Sequence, residues 1–104
     1  MGASTGETAM TEKQIEARMT KMIRERGGLC YKFQSPGNPG VPDRIVITPA
    51  GRTIYVELKT EVGSLQRIQR WQLDEMRKRG ADVRVLKGWE QVKGFVEEVL
   101  PREI

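Results

Sequence analysis

Asp43, Glu57 and Lys59 are the residues whose types and spacing could do chemistry. The run Arg44-Ile-Val-Ile-Thr48 reads as a strand, Pro49-Ala-Gly-Arg52 as a turn of hairpin length, and the run to Lys59 as a second strand. In that second strand Ile54, Val56 and Leu58 alternate with Tyr55, Glu57 and Lys59, so an aliphatic trio lies on one face and a polar trio on the other. Pairing Thr48 with Thr53 across the turn sets Asp43 opposite Leu58, one step from Glu57, and gathers both carboxylates at one end of the hairpin. Carboxylates that close repel unless something positive lies between them, and a hard divalent cation with oxygen ligands is the usual solution. Lys59, about 7 Å along the strand from Glu57, would sit at the edge of that site. There it could orient or deprotonate a water, or stabilise charge developing on a phosphate. An E-x-K triplet on a strand is common by itself; Pro42-Asp43 at the position the hairpin demands gives it weight.

Composition narrows the chemistry further. There is no histidine, which removes Ser-His and Cys-His catalysis, histidine-dependent zinc sites and imidazole acid-base chemistry. The single cysteine, Cys30, lies in an apolar run and has no internal disulfide partner, as in a reduced intracellular protein. Carboxylates, lysine and metal remain. Eighteen Lys and Arg against fourteen Asp and Glu give a net charge of +4, which suits a polyanionic partner. No stretch approaches the ~20 apolar residues of a membrane span, and no hydrophobic signal region opens the chain. A cytoplasmic location is expected.

The elements that must position these residues fit one small domain over 11–104, preceded by a disordered leader over 1–10 that is rich in Gly, Ser, Thr and Ala. Thr11 is an N-cap, Gln14 completes a capping box, and Ile15, Met19, Met22 and Ile23 form the apolar face of a helix ending at Gly27-Gly28. Leu29 to Phe33 reads as a strand. Three prolines and two glycines in Ser35–Pro42 then make a restricted loop that delivers the chain to Asp43. After the hairpin, Ser64 is a candidate N-cap for a second helix running to Arg79, with Leu65, Gln69, Leu73 and Met76 on one stripe. An amide at Gln69 amid apolar positions calls for a hydrogen bond, either within the core or in the site. Asp82 to Leu86 is a fourth strand, and Trp89, Val92, Phe95, Val96, Val99 and Leu100 keep helical spacing up to Pro101. The expected fold is an α/β domain with a small mixed sheet flanked by helices, in the order α-β-β-β-α-β-α.

Taken as an ordered set, Glu16 on the first helix, Gly40-Val-Pro-Asp43, Glu57-Leu-Lys59, and Gln69 with Trp71 resemble the stand-alone VRR-NUC (virus-type replication-repair nuclease) domains of the PD-(D/E)XK nuclease superfamily. The resemblance runs from Thr11 to Val99, with Gly27-Gly28 and Gly80 closing the helices. It implies that Asp43 and Glu57 bind Mg2+ or Mn2+, that the Leu58 carbonyl supplies another oxygen, and that Glu16 adds a carboxylate. It further implies that Lys59 serves the nucleophilic water and that Gln69 supports the site. Glu16 is chosen over Glu12, one turn earlier, because its eleven-residue distance to Gly27 fits the family better.

The implied activity is a metal-dependent endonuclease hydrolysing DNA phosphodiesters, at branched molecules such as Holliday junctions. Flap or restriction-type cleavage and a non-catalytic basic DNA-binding module are the rivals. Base reading in the major groove needs segments for which 104 residues leave little room. Arg18 and Lys21 on the first helix, and Arg67 and Arg70 on the second, are candidates for phosphate contacts. One domain offers one active site, so cutting two strands of a branched molecule points to a homodimer.

Overall fold

The computed structural model describes residues 9–102. Its elements are α1 (Glu12–Glu25), β1 (Leu29–Lys32), β2 (Arg44–Ile47), β3 (Thr53–Lys59), α2 (Arg67–Lys78), β4 (Val83–Lys87) and α3 (Gly88–Val99), in the expected order. They form one four-stranded sheet ordered β1-β2-β3-β4. The first three strands run antiparallel through local connections, whereas β4 joins β3 in parallel and therefore needs α2 as its crossover. Ile15, Met19 and Ile23 of α1 and Val92, Phe95 and Val96 of α3 bury one sheet face with Val46, Ile54, Val56, Leu58 and Leu86. Leu73 of α2 and Val83 are buried outside that cluster, where α2 meets the other face.

Local chemistry sets most boundaries. The Thr11 hydroxyl accepts from the Gln14 N–H while Gln14 Oε1 accepts from the Thr11 N–H, so two donors at the start of α1 are satisfied reciprocally. Helix α2 starts later than Ser64. The Gln66 N–H donates to Gln69 Oε1 at 2.9 Å, making Gln66 the N-cap and leaving Leu65 outside the helix. Strand β1 ends at Lys32 rather than Phe33, and β4 spans Val83–Lys87 rather than Asp82–Leu86. Of the leader expected over 1–10, residues 1–8 lie outside the described ones, and Met10 packs against the core.

The hairpin register differs from expectation by one residue, with consequences for the site. The Thr48 N–H donates to the Arg52 carbonyl, not to Thr53, and Gly51 closes the turn at φ +90 while its N–H bonds the Thr48 carbonyl. A three-residue loop ending in a left-handed glycine absorbs the extra residue as a bulge. Ile47 therefore pairs with Thr53 and Arg44 with Val56. Continued one step, Asp43 stands across from Glu57 instead of Leu58. Because side chains alternate along a strand, this shift moves Asp43 onto Glu57's own face.

Candidate active site

Glu57 is the centre of the polar face and is 7% exposed. Gln69 approaches it from the first turn of α2, and its Nε2 donates to Glu57 Oε2 at 3.2 Å. Since Gln69 Oε1 is already committed to the Gln66 N–H, the amide can present only its donor end to the carboxylate. Lys59, two residues along β3, brings Nζ within 3.7 Å of Glu57 Oε2. Burial, and then the neighbouring Asp43 charge, push the Glu57 carboxyl up to about 7, with Lys59 opposing the rise and Glu12 adding to it. A buried carboxylate that resists ionising beside a second carboxylate is a place where added positive charge is favoured.

This shift has a signed consequence for the metal-free protein. The unfolded carboxyl titrates near 4.5 and the folded one near 7, so the folded state holds the extra proton between those values. The stabilisation from this group is complete below the lower value and is lost as pH rises through the upper one, amounting to on the order of 3 kcal/mol. In EDTA, thermal melts from pH 5 to pH 8 are expected to show wild type losing stability relative to Glu57→Gln. Parallel curves for the two proteins would contradict this.

The Leu58 carbonyl is placed by the parity of the ladder. Thr48 and Arg52 are a hydrogen-bonded pair, and the Tyr55 N–H donates away from β2, to the Asp82 carbonyl. Even-numbered residues of β3 therefore turn their peptide groups toward β2. Leu58 falls opposite Pro42 in the continued register, and proline has no N–H to donate. Pro42 itself is fully buried, so it ends the ladder at the carbonyl the site would use. Asp43, Glu57 and this carbonyl are an all-oxygen set suited to Mg2+ or Mn2+.

Glu16 is not brought into that set. Its carboxylate pairs with the Arg44 guanidinium, and among the described residues no three acidic or thiol side chains are gathered closely enough to hold an ion. Its partner there is a cation that sequence reading passed over. Glu12, one turn earlier, is the α1 carboxylate whose charge reaches Glu57. Arg44 did leave a signal. It shares parity with Val46 and Thr48, so a strand there must turn its charge toward the aliphatic face.

The loop before Asp43 is fixed to α2. Gly40 adopts φ +88, and a Cβ built there would lie 2.8 Å from the Ile68 carbonyl oxygen. Gln72 Nε2 donates to the Pro39 carbonyl at 3.1 Å. One helix therefore positions both Gln69 and the loop that delivers Asp43.

The four basic candidates separate into two groups. Arg18 lies over the Trp89 ring at 4.3 Å and donates to Met10 Sδ, so its guanidinium is folded against the protein. Lys21, Arg67 and Arg70 are exposed and in no ion pair among the described residues. Trp71 is also exposed, between Arg67 and Arg70 on one side and Asp74 on the other in sequence.

The VRR-NUC domain profile matches residues 6–90, which include every residue of the site. The chain belongs to the VRR-NUC domain family. A solved structure described as a VRR_NUC domain is similar at TM-score 0.78 and 32% identity, covering 85% of this chain and 97% of that one. A second, described as a VRR_NUC domain protein, shares the fold at TM-score 0.72 and 16% identity, with 88% of each chain covered. "Putative nuclease p44" of Acyrthosiphon pisum secondary endosymbiont phage 1 is 50% identical over 48 residues, 46% of this chain. The match spans about half of that phage protein, 52%. As a VRR-NUC domain the chain carries a nuclease domain, and its sheet and helices are those the sequence led us to expect. No helix among its described residues is long and apolar enough to cross a membrane.

Proposed function

We propose that this VRR-NUC domain is an Mg2+- or Mn2+-dependent endodeoxyribonuclease that hydrolyses phosphodiesters of branched DNA as a homodimer in the cytoplasm. The observation that carries the reading is the buried Glu57 carboxylate, on one face with Asp43 and within reach of both Lys59 and Gln69. Asp43, Glu57 and the Leu58 carbonyl would hold the ion, which when bound supplies Lewis acidity toward a phosphodiester oxygen. Lys59 orients the attacking water or offsets negative charge as it develops on the phosphate. Gln69 fixes the Glu57 carboxylate from the side opposite its own cap bond. Glu16 enters as the partner of Arg44. Arg67, Arg70 and Lys21 meet flanking phosphates, so binding weakens steeply as salt rises.

Gln69→Ala separates support of the site from packing. Loss of one donor to the charged carboxylate and of the Gln66 cap is expected to cost about 1–2 kcal/mol in stability, with cleavage falling about 10- to 100-fold. An activity loss no larger than the drop in folded protein would make Gln69 a packing residue.

The function is tested by incubating the protein with labelled linear, flapped and four-way DNAs in Mg2+ or Mn2+, with light scattering on the same sample. Symmetric incisions in the four-way junction by a dimer are expected, because two sites at fixed separation can select a branched molecule without reading bases. A monomer that nicks flaps and leaves junctions intact would replace the junction reading with flap cleavage. A protein that binds every DNA and cuts none would be a basic binding module.

A further inference from the structure

Arg44 is the cation that the scheme above leaves unused, and its placement is costly. Its side chain is 7% exposed, and its Nε is buried without a hydrogen-bond partner. Buried ion pairs roughly break even against apolar side chains of similar volume, and an unsatisfied buried donor subtracts further. Stability alone therefore gives little reason for an arginine on the aliphatic face of β2. Its contacts give another. Nη1 donates to the Asp43 carbonyl at 2.8 Å and lies 3.6 Å from Asp43 Oδ2, while Nη2 pairs with the Glu16 carboxylate on α1. The planar guanidinium thus bridges Asp43 and the Glu16 carboxylate of α1 through two different nitrogens, a fixed span that a single ammonium cannot reproduce. Asp43 needs such a grip. Its side chain is 47% exposed at the end of a loop, and its carboxylate accepts no hydrogen bond from a described side chain, leaving the Arg44 charge 3.6 Å away as its partner.

We propose that Arg44 is a positioning residue that orients the Asp43 carboxylate toward Glu57, with Glu16 serving as its anchor and not as a metal ligand. The inference rests on the reading of Asp43 and Glu57 as the ion-binding pair. It makes a prediction opposite in sign to simple electrostatics. Removing a cation beside a cation site should tighten metal binding, whereas removing the group that orients a ligand should weaken it.

The test uses the full chain as wild type, Arg44→Met, Arg44→Lys and Glu16→Gln. Mn2+ binding is followed by calorimetry, folding by thermal melts in EDTA, and cleavage in single turnover. For Arg44→Met, Mn2+ affinity and cleavage rate are each expected to fall about 10- to 100-fold in protein that the melts show to be folded at the assay temperature. Arg44→Lys should remain close to Arg44→Met in both readouts, because it restores charge without the fork. Glu16→Gln keeps an acceptor oxygen while removing the charge, and should lower Mn2+ affinity less than Arg44→Met does. Tighter Mn2+ binding in Arg44→Met, full recovery in Arg44→Lys, or a loss of rate that only tracks a loss of folded protein would each overturn the proposal. If Arg44→Met does not fold, unchanged or tighter Mn2+ binding by Glu16→Gln overturns it instead. A wild type that binds Mn2+ but cuts no DNA refutes the nuclease reading and leaves the binding comparison decisive for Arg44.

Discussion

Asp43→Ala and Glu57→Ala are each expected to abolish cleavage of every DNA substrate, and excess EDTA should do the same to wild type until Mg2+ or Mn2+ is restored. The sequence holds no histidine, so no imidazole is available to replace a missing ion. Loss of either carboxylate also leaves the other without the like charge that makes an ion favourable. The fold should survive both changes. Asp43 lies at the surface end of a loop, and removing Glu57 relieves the burial of a carboxylate at the cost of an unpaired Gln69 donor. Lys59→Ala provides the contrast, because the lysine contacts Glu57 but is no oxygen ligand. It should retain Mn2+ binding while turnover falls about 10²- to 10⁴-fold. Cleavage that persists in excess EDTA would remove the metal mechanism altogether, and lost Mn2+ binding in Lys59→Ala would reassign the lysine.

The second large effect is expected from Gly40→Ala. An alanine at φ +88 pays about 1–2 kcal/mol for the left-handed backbone, and its Cβ meets the carbonyl of Ile68, a backbone atom that cannot swing aside. The combined loss should reach on the order of 3 kcal/mol, and the loop must lift from α2 to relieve the contact. Asp43 moves with that loop, so cleavage should fall further than folded protein does. Gly37→Ala is the internal control, since Gly37 has φ +82 but nothing within 4 Å of a built Cβ. It should pay only the backbone cost and leave cleavage near wild type. Equal melting temperatures and equal activities for the two variants would show that the Gly40–Ile68 contact does not position the site.

What the sequence disclosed, and what it withheld, follows the range of the interactions. The α1 cap, its apolar face and the alternation of β3 were legible because each depends on neighbours within a turn or a strand step. The hairpin was legible too, but its register was not. That register turns on Gly51 taking a left-handed conformation and absorbing one residue, which composition permits without requiring. The start of α2 was misplaced for a similar reason, because Gln69 caps the helix at Gln66 with the same amide that reaches Glu57. Glu16 was expected to add a carboxylate to the metal site and Arg18 to contact phosphate. Each meets a residue distant in sequence, Arg44 and Trp89 respectively, and helical spacing carries no information about such partners.

Pro42 has an implication for how the site persists in a small domain. Most residues at that position would offer an N–H to the Leu58 carbonyl, lengthening the hairpin by a rung and occupying that oxygen. In the proposed site, a ladder hydrogen bond and a bound ion would compete for that one peptide oxygen.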